Sequence, residues 1–510
     1  MAFRFKKTAA VASFAALVLA GPAASLAREG HWQPPGIRPA AVSLDDVLSA
    51  AAAAAGRPEA AYAQRTESWT LQTGPATLHT IVTVRDADLR FATAIDGADY
   101  EQGREGGIRW RRTPNGLVRK IASDVQGDDL DRWPLAFFPY AASDCFLLGS
   151  SAEGDAWVVE YRPAHDSPHW FFVDKSTGRL TREMFREGSR NVAFSFSDFR
   201  VVDGARRPFA WHVSGAGGDA DVAVDAILPQ LVTAEAVAIP ASRTDSLGQF
   251  GSATTAVPAT FDDVRAFRRI IIVATVNGHR ARFLYDTGTT QILIDEDAAR
   301  RFGLQQTLRH AIVRELTTGP VRFQNVAVQL VRLGEFGADG ILGYEYFAGQ
   351  VMHLDYRTAR IEFIPSVDFE PPRNAREIAA TFDEGMPLIR ARIGSIETDR
   401  VVIDTGSPNI LLMHELFEHS PLEPRNSIVG SEGAVALTHF LEGEVAVAEA
   451  HAPTIDFAGF RLLDNDVGVE EPDRGDSVDF PIDAIFGTNL LAKFEWWFDY
   501  DGGRIWLRPV

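Results

Sequence analysis

The sequence predicts a mainly β chain, in which an α+β amino-terminal domain on a curved antiparallel sheet precedes two sequence-related β lobes. Three observations carry this. Short alternating apolar runs separated by turn dipeptides extend to about residue 235, a connector rich in Ala, Ser, Thr, Gly and Pro follows at 239–262, and three short signatures then recur in one order up to residue 510. A chain of 510 residues exceeds what one core organises, so several domains are expected.

The first 27 residues read as a secretory signal peptide. Arg4, Lys6 and Lys7 precede an apolar run at 8–20, and Ser25-Leu26-Ala27 places small residues at a cleavage site. The apolar run is too short to span a bilayer, and no later segment is suited to do so, so an exported chain without an integral membrane segment is expected, periplasmic in the first reading and fully secreted in the alternative. Cys145 is the only cysteine, which excludes intrachain disulfides and C-x-x-C redox or zinc chemistry. A formal net charge of -19 spread along the chain argues against nucleic acid.

Residues 28–238 form the predicted amino-terminal domain. Ser43 and Asp46 make a capping box for an alanine-rich helix that stops at Gly56 and Pro58. Beyond it, runs such as Thr80-Ile81-Val82-Thr83-Val84 and Trp157-Val158-Val159-Glu160-Tyr161 alternate with turn signals at Asn115-Gly116, Thr177-Gly178 and Asp203-Gly204. The stretch from Trp170 to Leu180, followed by Phe199 to Gly204 and Pro208, resembles the hairpins of lipoprotein-carrier-like β-cup domains. A generic antiparallel sheet would read the same way, and no catalytic residue follows from the likeness.

The connector at 239–262 leads to a first lobe at 263–365, a second connector at 366–380 and a second lobe at 381–510. Ala281-Arg282-Phe283-Leu284-Tyr285-Asp286-Thr287-Gly288-Thr289 in the first lobe is matched by Asp399-Arg400-Val401-Val402-Ile403-Asp404-Thr405-Gly406-Ser407 in the second. Asp339-Gly340-Ile341-Leu342-Gly343 is matched by Asp483-Ala484-Ile485-Phe486-Gly487. Asp355-Tyr356 and Asp499-Tyr500 each lie 12 residues past the closing glycine, and Arg360-Ile361 and Arg504-Ile505 each begin five residues later.

These residues resemble the retropepsin-like and pepsin-like aspartic peptidases, in which each of two lobes supplies a D-T-G loop backed by an apolar-apolar-Gly segment. The closer likeness is to bacterial proteins with both lobes in tandem in one chain. It implies two acid-protease-type β-barrels, Asp286 and Asp404 as catalytic residues, and Gly343 and Gly487 as glycines packed behind the loops. Thr287 and Thr405 are expected to bond backbone across the lobes, and Thr289 and Ser407 to donate to the outer carboxylate oxygens.

The chemistry of those residue types agrees. Two facing carboxylates share one proton, so one activates a water while the other acts as acid, and which is which stays open. Gly288 and Gly406 are expected to permit a sharp turn, and hydroxyl donors should lower the carboxyl pKa and favour an acidic optimum. A peptide or protein substrate is implied, with no cofactor and no metal; oligomeric state is left open.

From Gly288 to Gly343 is 55 residues and from Gly406 to Gly487 is 81, so the second lobe carries about 26 extra, ascribed in part to an acidic loop at 464–479. The flap candidates are residues 316–321 and 427–433. His414 and His419 are five apart rather than the four a zinc helix needs. The competing reading is a non-catalytic envelope protein that binds peptide or an apolar ligand on the same folds. A third, compatible with hydrolysis, makes the amino-terminal domain a prosegment removed on activation.

Overall fold

The computed structural model describes residues 34–510 apart from 35, 57–63, 87, 96–97, 122–144, 163–168, 188–189, 216–218, 243–247, 252, 262–267, 306–309, 334–336, 384, 414–415, 418–421, 423, 429–446 and 471–481. The signal-peptide residues, most of the second flap candidate, and His414 and His419 fall outside them. Mainly β architecture is observed throughout. The chain divides into two units, one of residues up to Thr113 with Lys120–Ala241, the other of Pro114–Arg119 with Ser242–Val510.

Among the described residues, the first unit is built on a thirteen-stranded antiparallel sheet. Its strands follow one another in sequence except at one junction, where Arg65–Thr73 pairs with the last strand, Ala220–Pro229. Alternate residues of Arg65–Thr73 are buried, the period of two expected of a sheet with one covered face. A bulge at Ser68/Trp69 adds local twist. The helix Leu44–Ala55 opens on Ser43, whose side chain accepts from the Asp46 amide, and it closes at Gly56 with φ 84°. Val47 and Ala51 of that helix pack with Cys145, Val159 and Val173.

The second unit holds two barrels and a sheet they share. In the first lobe, strands Ile270–Val276, His279–Tyr285, Gly340–Leu342, Ile292–Asp295, Val321–Val331 and His310–Thr318 pair in that order. Thr275↔Thr317 and Val276↔Leu316 close the barrel. The second lobe repeats the order with Met386–Ile393, Ile396–Ile403, Ala484–Phe486, Leu411–Leu412, Phe460–Glu470 and Val447–Phe457, and Ala391↔Phe457 closes it.

The recurring Asp-Tyr and Arg-Ile pairs are hairpins of the shared sheet. Gln350–Asp355 turns into Arg360–Pro365, and Phe494–Asp499 turns into Arg504–Pro509. Asp355 accepts the Arg357 amide and Asp499 the Gly502 amide, each closing its turn. The two hairpins pair antiparallel from Val351↔Asp499 to Asp355↔Glu495. A single core then runs through both lobes, with Tyr285, Tyr346, Tyr356, Phe363 and Trp496 fully buried.

Two boundary readings need correction. Residues 239–262 are not a bare connector, since Thr255–Val257 pairs with Arg360–Pro365 and Ala259–Phe261 pairs with Ile270–Val276. The second connector also becomes strand at Arg376–Asp383, which leaves the shared sheet to pair with Met386–Ile393. Short strands at lobe edges add few apolar residues to the pattern, so composition alone reads them as linker. The acidic stretch likewise starts inside a strand, Phe460–Glu470, where Asn465 is buried and Asp464 and Asp466 face outward.

Candidate active site

Each D-T-G loop is wrapped around one short strand. His279–Tyr285 runs parallel to Gly340–Leu342, and Ile292–Asp295 returns antiparallel on its other side. Ile396–Ile403 and Leu411–Leu412 hold Ala484–Phe486 in the same way. The Asp286 amide donates to Leu342 O at 3.1 Å and the Asp404 amide to Phe486 O at 3.0 Å, so both aspartates are fixed at strand ends.

The glycines of the supporting segments are demanded by space. A Cβ on Gly343 would lie 2.4 Å from Thr289 O, and one on Gly487 would lie 2.3 Å from Asn409 O. Gly288 and Gly406 follow the same logic, which corrects the expectation that they serve an unusual turn: neither has positive φ. A Cβ on Gly288 would stand 2.8 Å from Asp404 Cγ, and one on Gly406 would stand 2.6 Å from Asp286 Cγ. Each glycine makes room for the carboxyl group of the opposite lobe.

The threonines lock the loops together. The Thr287 hydroxyl donates to Ile403 O at 2.7 Å and accepts the Thr405 amide at 3.1 Å. Reciprocally, the Thr405 hydroxyl donates to Tyr285 O at 2.9 Å and accepts the Thr287 amide at 3.1 Å. Both threonines are fully buried. Four buried hydrogen bonds thus fix one loop on the other, and an unpaired member in such a place costs about 1–3 kcal/mol.

The outer oxygens are treated differently in the two lobes. Asp286 accepts the Gly288 amide at 2.7 Å and the Thr289 hydroxyl at 2.9 Å. Asp404 accepts the Gly406 amide at 2.7 Å, but the Ser407 hydroxyl turns away to donate to Asn409 O at 3.0 Å. Ser407 therefore departs from its expected role, since a nearby backbone carbonyl captures its short side chain. The two carboxyl groups are brought together, each packed against the glycine of the opposite loop, and each acts electrostatically on the other.

Burial pushes both carboxyl groups above the ordinary carboxylate range. For Asp286 it outweighs the lowering effect of Asp404, Thr289 and Gly288. Asp404 is raised as well, by burial first and then by the negative charge of Asp286. The Thr289 hydroxyl acts in the lowering direction expected of such a donor, but burial outweighs it. Tyr285, Tyr356 and Tyr500 lie within electrostatic reach of the pair, and burial holds all three phenols well above their usual range and hence neutral. Arg269, itself buried, acts on Asp286 in the lowering direction.

Residues 272–346 match the sequence model of a family described as aspartyl protease. The matched stretch contains the first D-T-G and the first D-x-I-apolar-G signature. Among solved structures, the chain is similar to the aspartic proteinase from Irpex lacteus, with 12% identity over 51% of this chain and 98% of that one and a TM-score of 0.32. It is similar to basic 7S globulin from soybean, with 10% identity over 50% and 94% and a TM-score of 0.31. It is also similar to a LolA-superfamily protein from Nitrosomonas europaea, with 13% identity over 39% and 98% and a TM-score of 0.29. No curated protein matches the chain.

Several residues around the dyad escaped the sequence reading. Tyr356 and Tyr500 were visible only as members of a repeat, and the turn-capping aspartates beside them explain why the pair recurs. Arg269 carries no local signal. The flap candidate at 316–321 is the turn between His310–Thr318 and Val321–Val331, but Thr318 and Val321 are buried. The Thr318 hydroxyl is hydrogen-bonded to that of Tyr346, and Pro258 packs against Gly319. Gly319 and Pro320 at the tip of the turn are exposed. No helix among the described residues is long and apolar enough to cross a membrane.

Proposed function

We propose that the chain is an aspartic-type endopeptidase that hydrolyses peptide bonds through a water activated by Asp286 and Asp404. One observation carries the reading. Two buried carboxyl groups from matching loops of two lobes are brought together, each against the glycine of the other loop, and the loops are fixed to each other by the reciprocal bonds of Thr287 and Thr405. The different neighbours of the pair favour Asp286 as the ionised member and Asp404 as the protonated one.

In this mechanism Asp286 takes a proton from water as its oxygen attacks the peptide carbonyl. Asp404 donates a hydrogen bond to the developing oxyanion, and the pair then protonates the leaving amine. Thr289 and Gly288 stabilise the charge on Asp286 before attack, while the buried site excludes bulk water that would weaken these interactions. The substrate is a peptide or protein, and export to the periplasm is part of the proposal. The test is purified mature chain, with and without Asp286→Asn, incubated with a mixed peptide library from acidic to neutral pH. Absence of cleavage by the intact chain across that range would leave the binding-protein alternative.

A further inference from the structure

The second unit is discontinuous in sequence. It includes Pro114–Arg119, a segment about 120 residues upstream of the rest, whose flanking residues Thr113 and Lys120 belong to the first unit. Asn115 is 3% exposed and behaves as a rung of sheet. Its side-chain amide accepts the Ala327 N–H at 2.8 Å and donates to Ala327 O at 2.9 Å. Ala327 lies in Val321–Val331, beyond the end of the neighbouring strand Ile292–Asp295, which pairs only with Gln329 to Val331. Asn115 supplies the rung that strand does not reach.

The same amide donates to the buried carboxylate of Glu345 at 3.0 Å. Glu345 and Tyr344 open the short helix behind the first D-T-G loop, and their amides donate to Thr290 O at 3.0 Å and Thr289 O at 2.9 Å. Arg119 adds a second donor to Thr290 O at 3.0 Å and places its guanidinium 4.9 Å from the centre of the Tyr344 ring. Thr289 in turn donates to Asp286. From Asn115 or Arg119 to the ionised carboxylate is a short, continuous chain of bonds.

The second lobe gives an internal comparison. Its loop is held by the same backbone bonds, from Thr488 to Ser407 O and from Asn489 to Pro408 O. Yet Asn489, which matches Glu345 in position, is exposed. The buried carboxylate and the segment that engages it occur at the first loop, the one whose aspartate also receives a hydroxyl bond.

We propose that Pro114–Arg119 is a positioning strap for the Asp286 loop, and that the working enzyme retains the amino-terminal half of the chain rather than shedding it as a prosegment. Cleavage in the segment before the barrels, followed by loss of the first half, would withdraw Asn115 and Arg119 from the unit they complete. The activity part of this inference rests on the peptidase reading, whereas the positioning part does not.

The test compares full mature chains carrying Arg119→Ala, Arg119→Lys, Asn115→Ala and, as a control, Asn489→Ala. Hydrogen exchange at the Tyr344 and Glu345 amides should accelerate about tenfold in Arg119→Ala and Asn115→Ala, the effect of losing about one hydrogen bond. Arg119→Lys should restore most of the protection, and Asn489→Ala should leave it unchanged. Where the intact chain cleaves peptide, kcat should fall about tenfold in Arg119→Ala with KM unchanged, because Arg119 acts through the loop. Protein captured from the active preparation on a statine-type transition-state analogue should have a mass that includes residues 114–119. Unchanged exchange in both folded variants overturns the strap, and a fully active species beginning after residue 241 overturns the retention of the first half. A chain that never cleaves peptide removes the peptidase reading, while the exchange rates still judge the strap.

Discussion

Replacing Thr287 by Val removes one hydroxyl while nearly preserving shape, so its cost can be read from the bonds it makes. Ile403 O loses its donor and the Thr405 amide loses its acceptor, and both residues are fully buried. At about 1–3 kcal/mol for each buried group left unpaired, the loop interface should weaken by about 2–6 kcal/mol. Since about 1.4 kcal/mol is a factor of ten, exchange of the Thr405 amide should accelerate between about thirtyfold and 10⁴-fold. Thr287→Ser keeps the hydroxyl and should cost about 1 kcal/mol. The double variant Thr287→Val/Thr405→Val should cost less than the sum of its parts, because each hydroxyl accepts the other's amide. Native-state hydrogen exchange is the suitable assay, since a chain of two units need not unfold in one transition. Acceleration below threefold in Thr287→Val, with Thr287→Ser indistinguishable from it, would refute the interlock as an energetic feature.

Other outcomes follow from the same geometry. Activity requires one proton on the pair, and burial raises both carboxyls, so the acid limb of the kcat profile should lie above the ordinary aspartate value of 3.8 rather than below it. Because the folded value is raised, the stabilising contribution is complete below the unfolded value and is lost as pH rises through the folded one. Asp404→Asn should therefore raise the melting temperature at pH 7, with the gain vanishing near pH 3, as measured by calorimetry at the two pH values. Gly406→Ala drives a methyl to 2.6 Å from Asp286 Cγ and should lower kcat at least about a hundredfold while circular dichroism is preserved. Sequencing of the exported protein should begin at Arg28.

Much of the site was legible because its geometry leaves sequence marks at fixed spacing. Asp286 and Asp404 end strands, Gly343 and Gly487 must lack a Cβ against a backbone carbonyl, and Asp355 and Asp499 must cap turns. Those requirements act within a few residues of one another, so they recur in both lobes. What could not be read depends on distant partners. The Ser407 hydroxyl follows a carbonyl two residues on rather than the carboxylate, a choice made by side-chain rotation that the residue type does not encode. Asn115 looks like an ordinary turn signal, and its bonds to Ala327 and Glu345 cross more than 200 residues. Short edge strands at 255–257 and 259–261 carry too little apolar alternation to stand out from the linker composition around them.

The claim at the centre is that two aspartates act as one catalytic unit. It is tested most directly by kcat on a cleaved peptide for Asp286→Asn, Asp404→Asn and the double variant, with circular dichroism confirming each fold. The account predicts that either single change removes nearly all turnover and that the double variant is scarcely worse, since members of one unit are strongly non-additive. Substantial turnover in either correctly folded single variant contradicts it.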